Sequence, residues 1–142
     1  MVSWDYRPAS FTPLTQAEHC AAGELSEAPQ DQIDQRFYAI ITDLVGAPTE
    51  LAAPDGTLAG SQQHTLWGGT TWRPGGAQTP LRYPGQYADP ETGLHYNNHR
   101  YYDPETGAYL TPDPLGLAPA PNPHAYVANP LLLADPLGLM PY

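Results

Sequence analysis

The residues from Asp89 to Gly107, DPETGLHYNNHRYYDPETG, decide how this chain folds. The word Asp-Pro-Glu-Thr-Gly opens the stretch and closes it, the two copies starting fourteen residues apart. Each copy is a turn on chemical grounds: the Asp carboxylate accepts nearby backbone N–H groups, Pro presets φ at the second position, and Gly admits positive φ at the end. The nine residues between, Leu94 to Tyr102, are predicted to be one strand, and a fourteen-residue turn-plus-strand unit is a hairpin period. On that strand Leu94, Tyr96, Asn98, Arg100 and Tyr102 share one face, and His95, Asn97, His99 and Tyr101 the other. Neither face is purely apolar, which suits a large curved sheet with a tyrosine-rich wall better than a compact sandwich core. The fold class that follows is all-β, built of short antiparallel hairpins with Pro- and Gly-rich turns and little helix.

Upstream, strand and turn signals alternate in the same way. Phe37 to Thr42 reads as a strand, Asp43 to Gly46 as the turn that ends it, and Thr49 to Ala52 as the next strand. Ala53-Pro54-Asp55-Gly56 is a strong turn signal. The return strand is predicted as Thr57 to Ala59 and Gln63 to Trp67, broken near Gly60, and Gly68 to Pro80 as a loop holding Trp72. Residues 1–16, with Trp4, Tyr6 and Phe11, read as the tail of a strand pair whose partner lies further upstream in a longer protein. Polar residues 17–35 read as loop or weak helix, with a helical turn or two from Ala17 to Leu25. The chain thus divides into an N-terminal strand and polar segment (1–36), hairpins (37–112), a C-terminal core (113–139) and a three-residue remnant (140–142).

The C-terminal core, Asp113 to Leu139, is DPLGLAPAPNPHAYVANPLLLADPLGL. Its word Asp-Pro-Leu-Gly-Leu occurs twice, with eighteen residues, Leu117 to Ala134, between Gly116 and Asp135. Asp113 and Asp135 each precede a proline, which biases them toward extended backbone. Pro114 and Pro136 fix φ, while Gly116 and Gly138 permit a tight turn. Two turns of the same build place two carboxylates on rigid scaffolding. The plain reading is that Asp-Pro-x-Gly is a good turn whose Asp accepts backbone N–H groups, and the same reading covers Asp89 and Asp103.

These words, with the two Asp-Pro-Glu-Thr-Gly turns before them, resemble the Rhs/YD-repeat proteins, in particular the Rhs repeat-associated core that precedes a variable C-terminal toxin. The family pattern DPxG, eighteen residues, DPxG is met in full, and Asn122, Tyr126, Asn129 and Pro130 match the spacer's usual Asn, Tyr and Asn-Pro positions. The hairpin block resembles the family's YHTDHLGTP…DADG segment, with Leu44 where that motif has His. The resemblance implies a piece of a toxin-encapsulating β-shell with an intramolecular aspartyl protease, Asp113 and Asp135 being catalytic. The cut implied is a single event in cis between Leu139 and Met140. Two carboxylates brought close cannot both ionise cheaply, so the pair can hold one proton, one Asp activating water and the other protonating the leaving amine. Relief of that repulsion predicts that removing either charge stabilises the fold near neutral pH. The family's toxin begins at the scissile bond; this chain runs three residues further, to Tyr142, so the expectation is that the toxin is absent. The partners implied are the remainder of an Rhs shell, another Rhs chain, or a second copy. The alternative is a non-catalytic structural or interaction module that docks on a partner Rhs chain by strand pairing.

Composition narrows the field. Five Arg, no Lys and fifteen Asp and Glu give a formal charge of −10, which lacks the positive footprint that nucleic acids or anionic membranes require. No apolar run is long enough to cross a bilayer. MVSWDYRPAS has no apolar signal-peptide core, so cytoplasmic synthesis is expected, with any export by a specialised secretion system. Cys20 is a lone cysteine, excluding an intramolecular disulfide or a cysteine-based zinc site. His95 and His99, four apart on one strand face, stand about 13 Å apart at a rise of roughly 3.3 Å per residue, too far to share a metal. No metal or other cofactor is expected, and no Gly-x-Ser-x-Gly elbow supports Ser/His/Asp catalysis.

Overall fold

The computed structural model describes residues 1–18 and 36–141, and these form strands and turns with no helix. Six strands make a first sheet in chain order: β1 (Val2–Tyr6), β2 (Pro13–Glu18), β3 (Phe37–Thr42), β4 (Pro48–Ala52), β5 (Leu58–His64) and β6 (Thr70–Trp72). Four shorter ones make a second: β7 (Tyr87–Ala88), β8 (His95–Asn97), β9 (Arg100–Asp103) and β10 (Ala108–Tyr109), in the order β10-β9-β8-β7. Every pairing is antiparallel between sequence neighbours. Register shifts at Asp5/Tyr6, Ile41/Thr42 and Leu51/Ala52 bend the first sheet.

Carboxylate-capped turns set this meander. Asp43 Oδ1 accepts the N–H groups of Val45, Gly46 and Ala47 at 3.1, 3.0 and 2.9 Å. Asp89 and Asp103 cap their turns identically, each taking the N–H two residues on at 2.9 Å and the Thr hydroxyl three residues on, at 2.8 and 3.1 Å.

Four tyrosines join the sheets. Tyr83, Tyr102, Tyr109 and Tyr126 are all buried in one cluster with Ala47 and Val127. Tyr126 lies 4.8 Å from Tyr102 and stacks on Tyr83 at 5.6 Å. Such ring pairs contribute about 0.5–1.5 kcal/mol each beyond their area. Tyr83 and Tyr102 also donate to the carbonyls of Leu66 and Trp67 at 2.5 and 2.6 Å, binding the β5–β6 turn to the second sheet. A second cluster, Ile40, Leu51 and Leu81, lies under the first sheet.

Several local expectations are corrected. Leu94 to Tyr102 is not one strand but the hairpin β8–β9, in which Asn97 pairs with Arg100 across Asn98-His99. Asn98 turns the chain at φ +54, a region Asn tolerates better than most residues. The reversal changes the faces: His95, Asn97, Arg100 and Tyr102 are buried together, while Tyr96, His99 and Tyr101 face outward. His95 and His99 therefore do not share a face. β5 runs unbroken through Gly60, where a side chain would strike the Ala77 carbonyl, so that glycine serves a close approach and no break. The Trp72 segment is strand β6, paired with β5. β1 finds its partner downstream, in β2. Of the weak helix expected at Ala17 to Leu25, Ala17 and Glu18 lie in β2 and the rest falls outside the described residues.

Candidate active site

The buried face of the β8–β9 hairpin points at both Asp-Pro-Leu-Gly turns. The two-residue turn sets Asn97 and Arg100 opposite one another, and both side chains enter the interior. Arg100 Nη2 lies 3.1 Å from Asp113 Oδ2 and 3.6 Å from Asp135 Oδ2, so one guanidinium touches both carboxylates. Its Nε donates to the Gly138 carbonyl at 2.7 Å and its Nη1 to the Pro123 carbonyl at 3.0 Å. The guanidinium also lies 3.7 Å over the Tyr109 ring.

Asp135 is 1% exposed and engaged from every side. Its Oδ2 accepts the Tyr109 hydroxyl at 2.8 Å, its Oδ1 the Leu139 N–H at 2.9 Å, and its carbonyl the Asn97 amide at 2.9 Å. Asn97 also donates to the Tyr109 oxygen at 2.8 Å. Burial first, then the Asp135 charge, pushes the Tyr109 hydroxyl far above its ordinary pKa, so it stays a donor to that carboxylate. Asp113 is less enclosed: Oδ1 caps its own turn through the Leu115 N–H at 2.7 Å, leaving Oδ2 for Arg100. Asp113 thus acts as a turn cap and faces the guanidinium at once.

The peptide joining Gly138 to Leu139 is gripped at both polar ends, its carbonyl by Arg100 and its N–H by Asp135. The next peptide, Leu139 to Met140, is where the chain leaves the interior, Met140 being 55% exposed. Gly138 is hemmed in: at φ +69, a Cβ there would lie 2.5 Å from the Asn97 carbonyl oxygen. Gly116, at φ +71 in the matching word, has nothing within 4 Å of that position. Pro136 is buried and Pro114 exposed, so the two words differ in environment along their length.

The spacer residues divide by role. Asn122 and Asn129 make turns, their side-chain oxygens accepting the His124 and Leu131 N–H groups at 3.0 Å. Pro130 is fully buried and Tyr126 belongs to the tyrosine cluster. The Tyr126 hydroxyl and the Asn97 side-chain oxygen are buried with no protein partner. Sequence reasoning singles out neither Arg100, Asn97 nor Tyr109; the signal for them is the Asn97-Asn98 pair, residues that tolerate a positive-φ turn, of which the chain uses Asn98. Arg100 also lies against both carboxylates, and a guanidinium between two like charges offsets the repulsion on which the expected gain in stability rests. Among the described residues no group of His, Cys, Asp and Glu is placed to hold a metal, while Cys20 and His19 fall outside them.

Residues 19–124 match the Teneurin YD-shell family model. The chain is 39% identical to the double-stranded DNA deaminase toxin A of Burkholderia cenocepacia, over 96% of this chain and 10% of that protein. It is 44% identical to the probable deoxyribonuclease RhsA of Dickeya dadantii, over 66% of this chain and 7% of that one. In the Tc holotoxin pore of Photorhabdus luminescens, a region 28% identical superposes with a TM-score of 0.75, covering 99% of this chain and 6% of the other. The chain spans a tenth or less of the length of each of these proteins.

Proposed function

The chain belongs to the Teneurin YD-shell family, and from that premise we propose that it is the C-terminal, toxin-proximal core of an Rhs-type β-shell, cutting its own backbone once, after Leu139. The observation that carries this reading is the meeting of Asp113 and Asp135 on Arg100, with the Leu139 N–H held on Asp135 Oδ1 at 2.9 Å. One carboxylate takes a proton from water as its oxygen attacks the Leu139 carbonyl carbon. The C–N bond to Met140 breaks as the other, protonated, carboxyl group delivers its proton to the Met140 nitrogen. The grip on the preceding peptide fixes the plane from which the Leu139 carbonyl is presented, so proximity replaces a substrate-binding cleft. Afterwards the new C-terminus stays on Arg100 and Asp135, which limits the reaction to one turnover. Release of a toxin at that bond, and export of the assembly by a specialised secretion system, belong to the same reading.

Denaturing mass measurement of the chain, fresh and after incubation from acidic to neutral pH, tests it. Loss of Met140-Pro141-Tyr142 is expected; a chain that keeps its full mass throughout overturns the cleavage reading. In that event a non-catalytic shell module remains, favoured by β1, the edge strand of the first sheet among the described residues, with four of its five residues exposed. Such an edge fits a neighbouring shell segment, another Rhs chain or a second copy.

A further inference from the structure

Among the described residues, every hydrogen bond that the Asp135 carboxylate makes is one it accepts. Oδ1 takes the Leu139 N–H at 2.9 Å, and Oδ2 takes the Tyr109 hydroxyl at 2.8 Å with Arg100 Nη2 3.6 Å away. Asn97 fixes the direction of the Tyr109 proton. The Asp135 carbonyl can only accept, so the Asn97 amide turns Nδ2 toward it at 2.9 Å, and the second Nδ2 hydrogen meets the Tyr109 oxygen at 2.8 Å. The Tyr109 oxygen is thus filled from Asn97, and its own proton goes to Asp135. Burial keeps that hydroxyl protonated, and keeps Tyr126, which also feels the Asp135 charge, protonated too. A proton carried on Asp135 Oδ2 would meet two donors head on.

Asp113 is held more loosely. Among the described residues it meets two donors, the Leu115 N–H on Oδ1 at 2.7 Å and Arg100 Nη2 on Oδ2 at 3.1 Å, so each oxygen keeps a lone pair open. Its side chain is 6% exposed against 1% for Asp135, which makes it the member of the pair that a proton from solvent reaches first. Position divides the two as well. Asp135 Oδ1 binds the Leu139 nitrogen, which is bonded to the same Cα as the Leu139 carbonyl carbon, so this oxygen stands beside the reacting carbonyl.

We propose that Asp135 is the base that takes the proton from water, that Asp113 is the acid that protonates the Met140 nitrogen, and that Tyr109, oriented by Asn97, is the positioning residue that enforces this division. The assignment rests on the cleavage reading and adds to it the order of proton transfer. The water oxygen bonds to the Leu139 carbonyl carbon as its proton passes to the open lone pair of Asp135 Oδ1. The Leu139–Met140 C–N bond then breaks as Asp113 gives its proton to the leaving nitrogen. The pair starts and ends with one proton, which has moved from Asp113 to Asp135. The charged and titratable groups that face Asp135 are Arg100 from β9, Tyr109 from β10, Tyr126 from the spacer and Asp113 from the first turn. Of these, Tyr109 donates to Asp135 and leaves Asp113 alone, so it distinguishes the two carboxylates where Arg100 does not.

An ester in place of the scissile peptide tests the assignment. Incorporating the α-hydroxy acid of methionine at position 140 of the full chain gives an alkoxide leaving group, which departs with far less help from an acid than an amine does. In that background Asp113→Asn is expected to cut within about tenfold of the parent ester, and Asp135→Asn to stay slower by about 100-fold or more, the scale of a lost general base. Rescue of Asp135→Asn instead, or an equal response of the two variants, overturns the assignment. Tyr109→Phe keeps the ring under Arg100 and removes one donor to Asp135, which then binds a proton more readily. Cutting of the ordinary peptide by this variant should therefore fail on acidification at a pH higher by about one unit than in the parent. A uniform loss of rate with the acidic limb unmoved would show that the hydroxyl only supports the fold, and removes Tyr109 from the proposal. A parent that keeps its full mass as both peptide and ester sinks the cleavage reading and this assignment with it, whereas a parent that cuts with the variant order reversed sinks the assignment alone.

Discussion

Asn97 and Arg100 stand opposite one another across a two-residue turn and hold the same short strip of backbone, Asn97 bonding the Asp135 carbonyl at 2.9 Å and Arg100 the Gly138 carbonyl at 2.7 Å. The β8–β9 hairpin therefore grips the second Asp-Pro-Leu-Gly turn at its first and fourth residues. A turn held at both ends keeps its Asp carboxylate and the following peptide in one geometry. Through its remaining nitrogens Arg100 also holds Pro123 and Asp113, which couples the two turns across the eighteen-residue spacer.

Asp113→Asn and Asp135→Asn are each expected to keep the full mass under conditions in which the unaltered chain loses Met140-Pro141-Tyr142. An amide neither accepts the proton of an attacking water nor carries one to the leaving nitrogen. Loss of the tripeptide from either variant removes that residue from the reaction.

Stability separates the buried site from the exposed turns. Asp135→Asn removes a charge that Arg100, Tyr109 and the Leu139 N–H all address, and should lower stability by about 2 kcal/mol, the scale of hydrogen bonds to a buried charged group. Asp89→Asn and Asp103→Asn alter caps that Asn replaces nearly as well, so their melting temperatures should stay close to the parent's. A gain in stability for Asp135→Asn at pH 7 would mean that repulsion between the carboxylates outweighs the guanidinium.

The four Asp-Pro turns are legible in the sequence because turn chemistry is local: the carboxylate, the fixed φ and the glycine lie within five residues. The all-β class follows from the same signals. Arg100 is not legible in this way. Alternation through Leu94 to Tyr102 places it beside Tyr96, and only the φ tolerance of Asn98, indistinguishable by type from its neighbour Asn97, moves it inside. Gly60 and Trp72 are misread for a related reason, since a lone glycine marks a break or a close approach equally well, and only the backbone of Ala77 decides between them. The pairing of Asp135 with Tyr109 spans 26 residues and has no local signature at all.

The identical words differ at their glycines, and Ala substitutions read that difference. Gly116→Ala introduces a left-handed residue with open space around it, at a cost of about 1–2 kcal/mol. Gly138→Ala carries the same backbone cost and adds a Cβ 2.5 Å from the Asn97 carbonyl oxygen, so the hairpin must move off the turn. Gly138→Ala should therefore lose markedly more stability by thermal melt, and processing with it. Equal losses at the two positions would show that the grip of the hairpin on Gly138 is loose.

His95 makes the interior sensitive to acid. It is 3% exposed, its Nδ1 lies 3.0 Å from Gln86 Oε1, and burial, reinforced by the Arg82 charge and opposed by Asp103, lowers its pKa from 6.5 to about 4. The unfolded chain protonates this imidazole near pH 6.5, whereas the folded chain resists until about pH 4. Between those values the unfolded state binds more protons, so stability falls as pH drops from about 6.5 toward 4 and the contribution is constant outside that window. The full effect is on the order of 3 kcal/mol. His95→Gln retains a polar group beside Gln86 and removes the titration, leaving the carboxylate contributions common to both proteins. Denaturant melts of the pair across this pH range should diverge, the parent losing stability faster on acidification. Parallel curves would mean that the imbalance is relieved by local opening around β8, freeing His95 to protonate without unfolding.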